Sequence, residues 1–334
     1  MKKIISSIVV LALVLVGAFW LFNSKQSNES GDESKFKLAF NVWVGYAPFW
    51  LAQEKGFFAE EGIDVQITTI EDVAQKKSAM VKGDIDGLAD TVDLLVLARN
   101  EQVPSVAVME IDVSNGADGI LATENIKAIK DLKGKKVAVQ KNFVSESFLY
   151  YMLKKNNMSP SDIEVIDMEA SAAGAAFVSG NVDVAVTFEP WMSKSNERKG
   201  GHILTSSKDA DNALVDILSI NKDYLAKHPE NVQKVMRGWF KALEYIKTNP
   251  QDAYAIMAKH YDVTPAEFQE LIGGLDWPNL TEQKQFFGTS KEPGQIYKIA
   301  DTFIDVFLET KQLLTKPDVA PAINSKLLYE LNAQ

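Results

Sequence analysis

The 334-residue chain has no cysteine and only three histidines, and each shortage narrows its chemistry. Without cysteine there is no disulfide, no thiolate metal site and no lipid-modified N-terminal cysteine. His202, His228 and His260 are scattered along the chain. The second sits in a solvated helix-turn context and the third ends a helical segment, so neither is half of a metal pair. A GxGxxG loop, a Walker loop and a nucleophile elbow are also missing. No cofactor and no metal are expected. Basic runs are absent too: the net charge is −10, and setting Lys2 and Lys3 aside takes the remainder to −12. Such a surface repels phosphate backbones, which excludes nucleic acid as a partner.

What is present is ordinary for a globular protein, with 46% hydrophobic and 24% charged residues. The length suits two α/β lobes. Lys2 and Lys3 precede an uncharged apolar run over 4–22. That run is long enough to cross a ~30 Å hydrocarbon core as a helix. It exceeds the ~7–15 apolar residues of a cleavable signal, and no clean small-x-small site follows. A retained signal anchor is therefore preferred to a cleaved signal, with the positive end inside and the rest outside the cytoplasm. Residues 23–35 (NSKQSNESGDESK) contain nothing apolar, and are expected to form a flexible tether.

Beyond the tether, strand-like and helix-like stretches alternate. Strands are expected at 36–42, 63–70, 85–89, 105–111 and 119–123, with helices at 48–60, 73–81 and 92–99 between the first four. The rhythm then repeats: strands at 136–140, 163–168, 182–186, 202–205 and 214–221, with helices at 147–155 and 172–179. From 223 onward the pattern is almost wholly helical, punctuated by Pro229, Pro250, Pro265 and Pro278. Repeated strand–helix–strand units imply mostly parallel sheets covered by helices on both faces. Two such sets imply two lobes with a cleft between them. Ligands in open α/β sheets gather beyond the carboxyl ends of the strands, so the strand-to-helix loops hold the candidate residues.

Residues 43–65 read WVGYAPFWLAQEKGFFAEEGIDV. This stretch resembles the opening of the nitrate, taurine and aliphatic-sulfonate binding proteins of ABC importers, a group that includes thiamine-pyrimidine binders. Four later stretches agree in order and spacing: VKGDIDGLAD at 81–90, DLKGKKVAVQ at 131–140, GNVDVAVTFEPW at 180–191 and LVDILSINKDYLAKHP at 214–229. The resemblance runs over roughly 36–270. It implies a periplasmic-binding-protein-like fold of type II, two Rossmann-like lobes that close on ligand about a hinge, with a helical C-terminal segment. Carried over, the first lobe spans 36–123 plus 215–334 and the second 124–214. Thr123 and Glu124, and Ala213 and Leu214, then lie near the hinge.

Gly45, Tyr46, Ala47 and Pro48 connect the first strand to the first helix. Helix N-termini present unpaired N–H groups, which suits an anionic group. Trp43, Tyr46, Phe49 and Trp50 add aromatic surface able to stack on or cage a ligand; Phe49 and Trp50 serve equally to pack the first helix. Asp90 and Thr91 follow a strand where the resemblance places a ligand contact, although capping of the next helix explains them as well. Among residues 142–147, Ser145 is the candidate to hold an acidic group with backbone N–H groups, against an ordinary N-cap. Glu146 there competes with a bound anion unless it points away. Glu189, Pro190 and Trp191 match an acidic-Pro-aromatic segment that the resemblance puts at the cleft. Asp216 is a charge between apolar neighbours, and needs a ligand amine or an internal Lys or Arg as partner.

Asp90, Glu189 and Asp216 are acidic, and no arginine sits in these loops. A purely anionic ligand usually recruits arginine forks. The balance favours an amine-bearing ligand, taurine-like or otherwise cationic, over nitrate and simple sulfonates. The expected role is an extracytoplasmic, non-enzymatic solute-binding protein, a monomer. Its partners are a small polar organic ligand, an ABC permease with its ATPase, and the membrane through residues 4–22. Two rivals remain: a ligand-sensing module acting on a membrane receptor, and an enzyme resembling the thiamine-pyrimidine synthases. The latter chemistry implies a cysteine-rich iron-binding segment, a histidine and a cofactor lysine.

Overall fold

The computed structural model describes residues 34–289 and 291–331. The expected membrane span at 4–22 lies outside the described residues, as does most of the expected tether. Of that tether Lys35 already belongs to the first strand, where it pairs with Asp64. No helix among the described residues is long and apolar enough to cross a membrane.

The chain builds one sheet, leaves to build another, and returns. Strands β1 (Lys35–Phe40), β2 (Asp64–Thr69), β3 (Gly87–Thr91) and β4 (Ser105–Ser114) come first, separated by α1 (Ala47–Glu54), α2 (Phe57–Glu60), α3 (Val73–Lys82) and α4 (Val92–Asn100). The helix expected at 48–60 is divided, because Gly56 takes a left-handed φ of 76° that only glycine adopts freely. The second set holds β5 (Asp118–Thr123), β6 (Lys136–Val139), β7 (Glu164–Asp167), β8 (Val184–Phe188) and β9 (Gly201–Ser206), with α5 (Val144–Lys155) and α6 (Ala170–Val178). The return strand is β10 (Val215–Asn221). Helices α7 (Lys222–Lys227), α8 (Pro229–Thr248), α9 (Pro250–Ala258) and α10 (Pro265–Leu271) follow. A short β11 (Leu275–Asp276), then α11 (Leu280–Phe287), α12 (Gln295–Glu309) and α13 (Lys326–Glu330), complete the described chain. Pro229, Pro250 and Pro265 each stand in the first turn of a helix, where the missing N–H costs nothing.

The sheets run β11-β4-β10-β3-β1-β2 and β7-β6-β8-β5-β9. Apolar side chains pack on both faces of each. In the first, Leu38 and Phe40 join the large core while Ala39 and Leu88 pack with Met80 and Ala98 on the opposite side. In the second, Ile120 and Val137 face the large core while Leu121 and Ala138 face Phe177 and Met192.

Two expectations need correction. The sheets are mixed rather than mostly parallel: β1 pairs parallel with β2 and β3, but β10 runs antiparallel to both β3 and β4, and β5 antiparallel to β8 and β9. The antiparallel strands are those on which the chain enters or leaves a sheet, and a strand returning from the other lobe runs against the βαβ units already laid down. The first crossing also comes early. Strand β5 belongs wholly to the second sheet, so the chain crosses at 115–117 instead of at Thr123 and Glu124. The return crossing runs over 207–214.

Packing of α8 onto α1 anchors the first lobe. Val232, Val235, Met236, Trp239, Ala242, Leu243 and Ile246 recur at three- and four-residue spacing and are all buried. Trp239 is 0% exposed and its ring centroid lies 4.4 Å from that of Phe49. Trp239→Ala is expected to cost about 3–5 kcal/mol in urea unfolding, the range for deleting a fully buried large aromatic. Trp239→Phe should cost clearly less, because it also removes a buried indole N–H that has no hydrogen-bond partner.

Candidate ligand site between the two sheets

Strand ends from both sheets meet around one small cavity, leaving about 20 Å³ open to the centre of a water molecule. Asn41, Trp43 and Tyr46 reach it from the turn after β1, Asp90 and Thr91 from the end of β3, and Leu214 and Asp216 from the start of β10. The second lobe supplies Asp118 from β5, Phe143 and Val144 from the start of α5, and Phe188 from the end of β8. A larger groove of about 620 Å³ opens elsewhere, along α8 and α11. It is lined by the first lobe alone, and its Arg237 and Lys241 are already paired with Glu61.

Register places the polar residues in rows. Asp216 lies opposite Thr91 on one side and Asp112 on the other. In the second sheet Asp118 lies opposite Phe188. Like charges set directly opposite across strands repel, and here they are also dry: Asp112 is 0% and Asp216 5% exposed. Neutral donors relieve part of the cost. The Trp43 indole N–H donates to both Asp112 oxygens at 3.2 and 3.3 Å, and the Tyr46 hydroxyl donates to Asp216. Ser219 donates to Asp90 at 3.2 Å. The buried Lys76 ammonium donates to Asn41 at 2.8 Å. Gly45 makes the turn possible, because a Cβ there would collide with the Asp112 carboxylate and the Trp43 indole.

Protons take up what the donors leave. Burial pushes Asp90 up to about 7, against the opposing pull of Lys76 and Ser219. Burial likewise raises Asp118 to about 7, with Ser114 opposing. Asp112 is raised well above the carboxylate range by burial. Asp216 is raised by burial and then by Asp112, despite its bond from Tyr46. Behind the row, burial and Asp112 bring Glu110 to about 8. Burial lowers Lys76, a shift that Asp90 opposes.

Of the candidates read from sequence, Trp43, Tyr46, Asp90, Thr91 and Asp216 come together at the cavity. The partner of Asp216 is a tyrosine hydroxyl, neither a lysine nor an arginine. Thr91 does not cap α4 with its side chain. The other four candidates do not line the cavity. Trp50 stacks on His260 with centroids 4.5 Å apart and planes 7° from parallel. Ser145 is buried, its hydroxyl 3.5 Å from the Gln140 carbonyl, while its neighbours Phe143 and Val144 face the cavity. The Glu189 carboxylate accepts the Ser193 N–H at 3.0 Å and its hydroxyl at 2.9 Å. Trp191 packs over Gly174 and under the Lys194 ammonium. Glu146 does turn away from the cavity, accepting from the Asn142 N–H, Tyr150 and Gln312.

The raised carboxyls give the unliganded fold a distinct pH response. Asp90, Asp118 and Glu110 ionise near pH 4 in an unfolded chain and at about 7, 7 and 8 here. Between those limits the folded chain holds more protons, so stability falls as pH rises. Melting temperature without ligand should therefore be higher at pH 5 than at pH 8, and Asp118→Asn should flatten that slope in a pH series of thermal unfolding.

Comparison with known proteins agrees with this architecture. Residues 43–253, more than half of the chain, match the model of the family described as NMT1/THI5 like. The taurine-binding periplasmic protein of Escherichia coli K12 is 24% identical over 299 residues, spanning 85% of this chain and 89% of that protein. The 4-amino-5-hydroxymethyl-2-methylpyrimidine phosphate synthase of Aspergillus parasiticus is 25% identical over 244 residues, 67% of this chain and 70% of that one. The alkanesulfonate-binding protein SsuA of Xanthomonas axonopodis pv. citri, solved with MOPS bound, superposes with a TM-score of 0.73 at 19% identity. It covers 87% of this chain and 98% of its own. The fold is that of the periplasmic binding proteins, and the chain belongs to the NMT1/THI5-like family.

Proposed function

We propose that the protein is an extracytoplasmic solute-binding protein of an ABC importer, which captures a small polar organic ligand between its lobes and hands it to the permease. The observation that carries this reading is a cavity lined by strand ends of both sheets. In this closed arrangement it holds little more than a water-sized group, so any larger solute enters only when the lobes part. Two crossings, at 115–117 and 207–214, are the natural hinge. Ser207 ties them, its Oγ accepting the Gly116 N–H at 2.6 Å and lying 2.8 Å from Ser114 Oγ. Ligand would settle on one lobe and gain contacts from the other on closure, and closure is driven only by that added affinity.

The names of the relatives support the same role, since a taurine-binding periplasmic protein and an alkanesulfonate-binding protein both hold small polar solutes. Residues 4–22, as an N-terminal anchor, would keep a monomer beside its permease. The similarity to a pyrimidine phosphate synthase raises an enzymatic alternative. The cavity lining argues for binding, as it contains neither histidine nor lysine, both of which that chemistry is expected to need.

Solution scattering of the full chain against a panel of small solutes tests the reading: a binder should reduce the radius of gyration. Asp216→Ala should weaken that binder at least about tenfold, or ~1.4 kcal/mol. Glu189→Ala should stay within about twofold, because its carboxylate is spent on Ser193. Loss at Glu189 with none at Asp216 would place the ligand on another face.

A further inference from the structure

We infer that the cleft takes an organic cation whose charged end carries N–H donors, a primary ammonium or a guanidinium-like group, and not an anionic head group. The inference rests on the cavity between the sheets being the ligand site.

The first argument is the donor inventory. An anion such as a sulfonate needs several donors pointed inward, and four of the donors around the cavity are already engaged. Trp43 gives its N–H to Asp112, Tyr46 its hydroxyl to Asp216, Ser219 its hydroxyl to Asp90 and Lys76 a proton to Asn41. No lysine or arginine lines the cavity. Just before α5 the Asn142 N–H is taken by the buried Glu146, which accepts it at 2.9 Å with its carboxylate turned away from the cavity.

The second argument is what the walls offer in exchange. Asp90, Asp118 and Asp216 line the cavity and Asp112 stands behind Trp43, so four buried carboxyls from four strands surround one small space. Thr91 adds an independent polar oxygen to the lining. Thr91 is 5% exposed and in the lining, and its Oγ1 has no well-aligned hydrogen-bond partner, although it lies close enough to the Asp93 carboxyl to oppose the rise that burial causes there. Around these acceptors stand the rings of Trp43, Tyr46, Phe143 and Phe188, with Trp43 and Phe188 edge to face at 5.7 Å. Acceptors set among aromatic faces match a cation. Buried acceptors also distinguish among cations, because a quaternary ammonium has no N–H to satisfy them and would leave them dry.

The same geometry couples binding to protons. Without a cation the carboxyls are kept neutral by burial, and a bound positive charge lets them ionise. Cation uptake therefore releases protons and tightens as pH rises from 6 to 8. The other charged or titratable groups facing the acids are Lys76 and Asp93 beside Asp90, Tyr261 and Glu110 beside Asp112, and Glu189 beside Asp118. The cations acting on Asp90 are Lys76, which stays engaged with Asn41, and the more distant Lys77, which is paired with Glu101.

The test is calorimetry, thermal shift and scattering on the full chain with putrescine, methylguanidinium, tetramethylammonium, methanesulfonate and nitrate, at pH 6 and pH 8. Putrescine or methylguanidinium should bind, several-fold tighter at pH 8, with protons released to the buffer. Asp118→Asn should weaken that binding at least about tenfold while the unliganded melting temperature at pH 8 holds or rises, since Asn mimics the neutral carboxyl. Binding and compaction with methanesulfonate or nitrate, and none with the cations, would overturn the inference yet leave the solute-binding role standing. An equal response to tetramethylammonium would overturn the N–H requirement. Silence from every probe, with no compaction, would end both.

Discussion

A carboxyl taken out of water has to find a positive charge, hydrogen-bond donors or a proton, and the four aspartates between the sheets answer to that rule together. Asp112 and Asp216 face each other on neighbouring strands, and Asp90 and Asp118 complete the ring of acids. Tyr46 and Trp43 supply one donor each, Lys76 supplies a field without a direct bond to any of the four, and protons make up the balance. The turn after β1 exists to deliver those two donors. Its aromatic residues are buried polar tools as much as packing material, and a side chain at Gly45 would displace both the indole and the acid it serves.

This arrangement depends on mixed sheet topology. Were β10 parallel to its neighbours, its first residues would lie at the far end of the sheet from the turn after β1 and the end of β3. Because it returns antiparallel, Asp216 near its start comes level with Thr91 at the end of β3. Strand β5 does the same in the second sheet, bringing Asp118 at its start to Phe188 at the end of β8. Entry and exit strands thus supply Asp112, Asp118 and Asp216, and the parallel βαβ units supply Asp90 with the loops and rings. Both contributions are needed to wall the cavity from two sides.

Much of this is legible in the sequence. Alternating apolar patterns mark nearly every strand and helix within a few residues, and Trp43, Tyr46, Asp90, Thr91 and Asp216 stand out as polar or aromatic residues at strand ends. Asp112 and Asp118 escape for a definite reason. A strand drawn to 111 and another begun at 119 leave both acids in an apparent loop, while β4 actually continues to Ser114 and β5 begins at Asp118. The strands outlast their apolar pattern because the acids are carried neutral and hydrogen-bonded inside the sheet. Trp50, Glu189 and Trp191, also read from sequence, lie outside the cavity lining. Their composition suits a binding loop, but their partners, His260, Ser193 and Gly174, lie nearby in space and claim them first.

Helix α12 packs on α4 of the first lobe and α5 of the second. Lys154 on α5 reaches Glu309 at its end at 2.8 Å, and just beyond it Gln312 donates to Glu146 at 2.9 Å. The C-terminal segment is therefore a second link between the lobes, besides the two crossing segments. Any motion that carries α5 away from α12 must first break an exposed ion pair and a half-buried amide bond. Separation of the two helices is thus opposed by polar links that ionic strength and competing solutes can loosen.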